Sequence, residues 1–232
     1  NSVKVILGFA ELALAFKFLS IADMTAHWGI LKYELFMGIW VVVAFAMAAY
    51  LFGWIRFPHD SPNRRVTPIP AMMGLLFAII GIYLATGLLG SKETGTYNSL
   101  SLMSGLAPPA HYNFFRPLEE VKQEQSGQFA SLTKCANNFD CFHDYYEGLA
   151  YAREKNKPIL LDFTGYGCVN CRKTQEHIWS REEIRKVIND EYVLISLYVD
   201  DKLDMDTVRR SAVTNERIRT VGQKWSDFQI VN

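Results

Sequence analysis

The chain has 232 residues and a formal net charge of zero, from 24 basic and 24 acidic side chains. This balance excludes bulk electrostatic attraction as a reason to expect nucleic acid or an acidic partner. Half of the residues are hydrophobic, and they are concentrated between residues 1 and 91, whereas the remainder has the composition of a soluble protein. The N-terminus lacks the basic region, short apolar core and cleavage site of a signal peptide, so we expect a piece of a longer protein.

Three apolar segments predict membrane-spanning helices in the first part of the chain. They cover about residues 3–22, 35–55 and 67–90. About 20 apolar residues cross a bilayer core at 1.5 Å per residue, and the second and third segments reach that length without a charged residue. Buried helices of a soluble protein are the disfavoured alternative, because two such runs would need an unusually large core. We therefore expect the lipid bilayer to be a partner.

Two charged residues, Glu11 and Lys17, interrupt the first segment. A charged side chain in hydrocarbon is costly unless it faces inward or is paired, and a spacing of six residues does not place the two on one helix face. We expect both to face a protein interior or water. Two interpretations stay open: a polar lining of a path through the membrane, or a structural contact with helices outside this fragment.

The connectors between the apolar segments predict the orientation of the chain. The second connector contains three arginines: Arg56, Arg64 and Arg65. The first connector has one basic residue, Lys32. Because short basic connectors stay in the cytoplasm, everything after Ser91 is expected to lie outside it. We expect the connector histidines to be solvated rather than ligands: His27 and His59.

A polar linker and a soluble α/β domain are predicted next. The linker covers residues 92–134, with a short helix at 117–125, and the domain covers residues 135–232. Periodic apolar residues predict helices at 144–158, 168–179, 181–191 and 215–225. Ser180 is the expected N-cap of the third of these helices. Continuous apolar runs predict buried strands at 159–164 and 192–201, and strands that alternate with helices are typical of an α/β sheet.

Cys168 and Cys171 stand where the first predicted strand gives way to a helix. Cysteines three positions apart can close a small disulfide ring, and free N–H groups at a helix N-terminus stabilise a thiolate. The first thiol then attacks the disulfide of another protein, and the second resolves the mixed disulfide. The pattern predicts Cys168 as the nucleophile and Cys171 as the resolving thiol.

Metal binding is the alternative use of these cysteines. C-x-x-C is half of many zinc sites, and Cys135, Cys141 and His143 offer further ligands. With Cys168, Cys171 and His177 they would make a membrane-anchored metal chaperone. The strand–turn–helix setting favours redox chemistry, in which no metal or other cofactor is expected.

The residues "ILLDFTGYGCVNCRK" (159–173) resemble the active-site segment of thioredoxin-like domains. More narrowly, they resemble the C-terminal domain of the DsbD family of thiol:disulfide interchange proteins, which are transmembrane protein-disulfide reductases of bacterial envelopes. The upstream "LGFAELALAFKFLSIAD" (7–23) is similar to the last part of that family's membrane domain. Spans, linker and cysteine pair also come in the family's order.

The resemblance implies three spans of an inner-membrane protein followed by a periplasmic thioredoxin-like domain. In that family, electrons pass from cytoplasmic thioredoxin through a membrane cysteine pair to this domain. From there they reach an N-terminal periplasmic domain and clients such as disulfide isomerase and cytochrome c maturation factors. The expected partners are the bilayer, the rest of the membrane domain and these clients. An oxidase or isomerase, which reverses the direction, remains a rival.

Two acidic residues are candidates for proton relay by the same resemblance. Asp162 lies six residues before Cys168, where thioredoxins keep a buried acid, and burial would raise the pKa of its carboxyl group. The alternative is a solvated aspartate at a strand edge. The family often has glutamate at the position of Gln175, so Glu176, one residue later, is a less secure second candidate.

The resemblance also predicts what the chain lacks. A thioredoxin fold needs a cis-proline loop, a closing hairpin and a last helix, but no proline follows Pro158. No cysteine precedes Cys135 either, so the membrane cysteine pair is missing. We expect a domain that is incomplete at its C-terminus and a chain that does not run the full electron relay alone.

Cys135 and Cys141 are predicted to form a second, structural disulfide. The inferred compartment is oxidising, and the turn-forming run "ANNFD" between the cysteines can bring them together. The alternative is two free thiols, or one thiol that pairs elsewhere.

Overall fold

The computed structural model describes residues 2–57, 67–90, 97–115, 129–136 and 139–231. Part of the basic connector, with His59, Arg64 and Arg65, and the predicted helix at 117–125 lie outside these ranges. The helices are α1 (Ser2–Thr25), α2 (Tyr33–Leu51), α3 (Pro68–Thr86), α4 (Tyr145–Lys155), α5 (Val169–Thr174), α6 (Glu182–Glu191) and α7 (Val221–Val231). The strands are β1 (Leu132–Lys134), β2 (Asp140–Phe142), β3 (Ile159–Thr164), β4 (Val193–Tyr198), β5 (Asp204–Arg210) and β6 (Arg217–Thr220).

Helices α1, α2 and α3 are each long and apolar enough to cross a membrane. Glycines let α2 and α3 approach closely: a Cβ on Gly81 would lie 3.1 Å from the ring of Phe45, as expected where helices pack through small residues. The two charged residues of α1 differ in environment, since Glu11 is exposed on the helix surface whereas Lys17 is buried. The expectation of a protein-facing charge therefore holds for Lys17.

The α/β domain is built on a four-stranded sheet in the order β1-β2-β4-β3. β3 and β4 are parallel and pair along their whole length. Both are continuous apolar runs, which suits strands covered on both faces. Helix α4 begins at Asp144, whose side chain accepts hydrogen bonds from two backbone N–H groups, and ends at Asn156 in a left-handed conformation, so the sequence supplies both caps. Helices α5 and α6 connect β3 to β4 and place the cysteine pair at the end of β3.

The predicted helix at 215–225 is wrong in its first half. Residues Arg217–Thr220 form β6, which pairs antiparallel with β5 in a separate two-stranded sheet. Ile218 is buried between two exposed arginines, which is the period-two alternation of a strand. The helix begins only at Val221, and Gln223 Oε1 accepts hydrogen bonds from the backbone N–H groups of the two preceding strand residues.

The predicted N-cap Ser180 is also wrong. Arg181 occupies the N-cap position of α6, and its side chain makes no capping hydrogen bond. The Ser180 hydroxyl instead donates to the Glu176 carbonyl at 2.7 Å. Its oxygen is thereby turned back toward the preceding π-helical turn, Gln175–Trp179.

Candidate active site

Cys168 and Cys171 form a disulfide at the junction between β3 and α5, with their Cα atoms 5.3 Å apart. Cys168 is the N-cap residue of α5, and its Sγ accepts a hydrogen bond from the Cys171 N–H at 3.3 Å. Both cysteines are half-buried, whereas Asn170 between them is exposed. An N-cap sulfur faces unpaired N–H groups and the positive end of the helix dipole, so the reduced Cys168 is the thiol whose thiolate this geometry stabilises.

Asp200 holds the turn that leads into the cysteine pair. Its carboxylate accepts hydrogen bonds from the N–H groups of Tyr166 at 2.9 Å and Gly167 at 2.8 Å. A Cβ on Gly165 would lie 2.8 Å from the same carboxylate, so glycine lets the acid approach the backbone. Asp200 was not among the site residues predicted from the sequence. Its signal was available, because Asp200 follows β4 at the edge where the parallel strand β3 also ends.

Asp162 lies on β3 and is mostly buried, and this burial raises the pKa of its carboxyl group. Hydrogen bonds from Gln175 Nε2 at 3.1 Å and Ser196 Oγ at 3.4 Å act in the opposite direction. Gln175 is one helical turn after Cys171, on the same face of the helix. Through Gln175 the Asp162 carboxyl thus contacts the helix that carries the second cysteine, and it is not a solvated group at a strand edge. Its role in proton relay remains a prediction.

Glu176 is placed differently from Asp162. It forms a buried ion pair with Arg172, one turn earlier on the same helix. The pair lines a small cavity with Tyr33 of α2 and residues that include Leu100 and Met103. Neither Arg172 Nε nor Glu176 Oε2 has a hydrogen-bond partner among the described residues. Glu176 thus lies at a contact with the N-terminal helices, and a relay role for it remains a prediction.

The turn that carries the cysteines lies against the N-terminal part of the chain. A Cβ on Gly167 would lie 3.4 Å from Ile21 of α1. Residues 97–115, which we call the cap segment, approach the first residue of α5 at Gly105, where a Cβ would lie 2.7 Å from Val169 Cγ1. Next to the site, His27 pairs with Asp201 at 2.8 Å, and the Lys202 N–H donates to the carbonyl of Thr25 at 3.0 Å. His27 therefore has a hydrogen-bonding partner in Asp201 and is not merely solvated.

The cap segment contributes a histidine that is held neutral. Burial is the first cause, followed by the nearby positive charge of Arg172, and together they lower the pKa of His111 to about 3. Burial also lowers the pKa of His143, whose Nδ1–H donates to the Ser196 carbonyl at 3.0 Å. Both imidazoles are thus neutral at physiological pH.

We expect the chain to lose stability in acid because of these histidines. The unfolded chain binds protons below about pH 6.5, whereas the folded His111 does so only near pH 3, so its contribution is complete above pH 6.5 and is lost as the pH falls toward 3. At pH 5 the loss from His111 would reach up to about 2 kcal/mol. Unfolding midpoints at pH 5 and pH 8 test this. His111→Gln should flatten the pH dependence, and a similar flattening in the exposed control His177→Gln would contradict the assignment.

The predicted disulfide between Cys135 and Cys141 is present in the structure, with Cα atoms 5.9 Å apart. His143 lies close enough that one ligand atom from each of the three residues falls within 4.8 Å of the others. Both sulfurs are consumed by the disulfide, which leaves no thiolate for a metal in this state. The larger metal site is not assembled, because within the described ranges this candidate cluster includes neither Cys168 nor Cys171 nor His177.

Comparison with known proteins identifies the α/β domain. Residues 140–217 match the family model described as thioredoxin-like. The matched segment contains Cys168, Cys171 and Asp162. No curated protein matches the chain. The chain therefore consists of three apolar helices followed by a mixed α/β thioredoxin-like domain, and the cysteine pair in this domain indicates thiol–disulfide redox activity.

Proposed function

We propose that this chain is part of a membrane-anchored protein-disulfide reductase of the DsbD type, which passes electrons through Cys168 and Cys171 to proteins outside the cytoplasm. The observation that carries the proposal is the disulfide at the N-terminus of α5, within a thioredoxin-like domain that follows three apolar helices. The sequence resemblance supports the narrower family. The proposal sets the thioredoxin-like domain at residues 132–232, three residues longer than the 135–232 expected from the sequence, because β1 belongs to its sheet.

The proposed reaction is two-step thiol–disulfide exchange. The Cys168 thiolate attacks one sulfur of the client disulfide, which forms a mixed disulfide and expels the other client sulfur as a thiolate. Cys171 loses its proton and attacks Cys168 Sγ, which releases the second client thiolate and forms the Cys168–Cys171 disulfide. The client gains two electrons and two protons, and the cysteine pair loses them. In this proposal Asp162, whose buried carboxyl has a raised pKa, accepts the Cys171 proton.

The direction of electron flow is tested by the reduction potential of the cysteine pair. A reductase should have a potential near −270 mV, as thioredoxin has, whereas a potential between about −180 and −120 mV would identify an oxidase or isomerase. Equilibration with dithiothreitol buffers, followed by alkylation and peptide mass analysis, gives the value for this pair separately from the Cys135–Cys141 disulfide. A reductase then needs a source of electrons, which we assign to a cysteine pair in the rest of the membrane domain, supplied by cytoplasmic thioredoxin.

The proposed location is the bacterial inner membrane with the thioredoxin-like domain in the periplasm. Arg56 and the two arginines at 64 and 65 support a cytoplasmic connector between α2 and α3. We expect a reporter enzyme that works only outside the cytoplasm to be active when fused after Lys92, and a cytoplasmic reporter to be inactive there. Fusions at residue 60 should give the reverse pattern. Equal activity patterns at both positions would contradict the topology.

A further inference from the structure

We propose that the cap segment, residues 97–115, covers the docking surface of the redox turn, and that Gly105 and Lys17 are the positioning residues that keep it there. While the cap segment is in place, small thiols reach the Cys168–Cys171 disulfide but a folded protein does not. The proposal rests on the proposed function, because it names what a protein partner must displace before thiol–disulfide exchange.

Gly105 makes the closest approach to the redox turn. It has a φ of 73°, a left-handed conformation, and it lies over Val169, which follows Cys168. A Cβ at this position would lie 2.7 Å from Val169 Cγ1 and 3.0 Å from Val169 Cα. Only glycine fits both the backbone conformation and this distance. The contact covers the residue beside the attacked sulfur, over which an incoming protein would have to dock.

Lys17 of α1 holds Gly105 of the cap segment in position. Its side chain is 9% exposed, although it belongs to an apolar helix, and its ammonium donates a hydrogen bond to the Gly105 carbonyl at 3.3 Å. A buried ammonium is stable only where its donors find acceptors. The bond therefore fixes the Gly105 carbonyl relative to α1 and keeps the opposite side of this residue against Val169.

The rest of the cap segment is fastened to the N-terminal helices by hydrogen bonds and apolar packing, and it meets the redox domain at the small cavity lined by Arg172 and Glu176. The Tyr112 hydroxyl donates to the buried carboxylate of Asp23 at 2.7 Å, and the Tyr33 N–H donates to the Tyr112 carbonyl at 2.9 Å. Leu100 and Met103 belong to the same buried cluster as the apolar side chains of α2. Opening therefore separates the redox domain from the cap segment and the helices as one step, rather than unfolding the segment.

The test compares how fast a small and a large dithiol reduce the Cys168–Cys171 disulfide in the full chain. Each reductant forms a mixed disulfide with Cys168, expels the Cys171 thiolate, and then closes its own disulfide, so two electrons and two protons pass to the pair. The small probe is dithiothreitol, and the large probe is reduced thioredoxin. We expect Gly105→Ala to accelerate reduction by thioredoxin about tenfold and to change the dithiothreitol rate less than about twofold, because the added Cβ forces the cap segment away from Val169, next to the attacked sulfur.

Gly29→Ala is the matched control. Gly29 has nearly the same φ, 71°, but its Cβ would meet only Lys32 Cε, at 3.9 Å. Both variants thus carry the same backbone strain, and only Gly105→Ala loses the contact with Val169. Equal thioredoxin rates in the two variants would overturn the proposal. If Gly105→Ala does not fold, Lys17→Met replaces it. Lys17→Met should also accelerate reduction of the disulfide by thioredoxin, whereas Lys17→Arg should not. An unchanged rate in Lys17→Met would contradict the covering role of the cap segment.

The outcome is separable from that of the proposed function. The rates report access to the disulfide, whereas the reduction potential reports the direction of electron flow. A potential in the oxidase range, together with faster reduction of Gly105→Ala by thioredoxin, would contradict the reductase function and support the covering role of the cap segment. A potential in the reductase range with unchanged rates would contradict the covering role of the cap segment and support the reductase.

Discussion

Cys168→Ser is expected to abolish electron transfer to disulfide-bonded clients, whereas Cys171→Ser is expected to trap those clients as mixed disulfides. Cys168 stands at the N-cap of α5, where helix N–H groups favour its thiolate, and it is therefore the sulfur that attacks. Without Cys171 no second thiol can release the client, so the covalent complex accumulates. Non-reducing electrophoresis of acid-quenched cells measures the complexes, and a disulfide-reduction assay measures the loss of turnover.

The double variant Cys135→Ser/Cys141→Ser is the control for loss of a disulfide as such. It removes a disulfide outside the proposed site. We expect normal turnover and no trapped complexes in this variant. Trapping by Cys168→Ser in place of Cys171→Ser would reverse the two roles. Trapping by neither variant would contradict two-step exchange through this pair.

The sequence predicts the cysteine pair and its setting because the signals are local. An apolar run of six residues, a short turn and C-x-x-C followed by helix-forming residues are contiguous, and the structure has β3, the turn and α5 at those positions. The three apolar helices are equally local, since length and composition suffice to predict them.

The parts that the sequence does not predict depend on contacts between distant residues. The Asp200 carboxylate accepts a hydrogen bond from the Gly167 N–H, and the Lys17 ammonium donates one to the Gly105 carbonyl. No local sequence pattern connects the two members of either pair. The polar linker predicted at 92–134 has no hydrophobic periodicity, yet its described residues 97–115 pack on α2 through Leu100 and Met103. Residues 217–220 have charged and apolar side chains that are compatible with a helix. They form a strand instead because they pair with β5.

Asp162→Asn is expected to slow the second step of exchange by about 10²-fold at neutral pH, which is the lower range of a lost general base. The amide keeps the size and one acceptor of the carboxyl group but cannot accept the Cys171 proton. The deficit should shrink as the pH rises toward the pKa of a thiol, because Cys171 then ionises without help. Stopped-flow decay of a preformed mixed disulfide across pH isolates this step, since the attack by Cys168 is already complete.

The same substitution should stabilise the folded chain above neutral pH, and this effect separates proton transfer from structural damage. Burial raises the folded pKa of Asp162, so the folded state binds more protons than the unfolded state above about pH 3.9, and stability falls as the pH rises through the folded pKa. The amide introduced by Asp162→Asn does not ionise and avoids this loss.

Ser196→Ala is the matched control, because it keeps the carboxyl group of Asp162 and removes a hydrogen bond that lowers its pKa. Ser196→Ala should move the pH profile of the second step to higher pH without a large loss of rate. If Asp162→Asn is slow and destabilised while the Ser196→Ala profile does not shift, Asp162 has a structural role only.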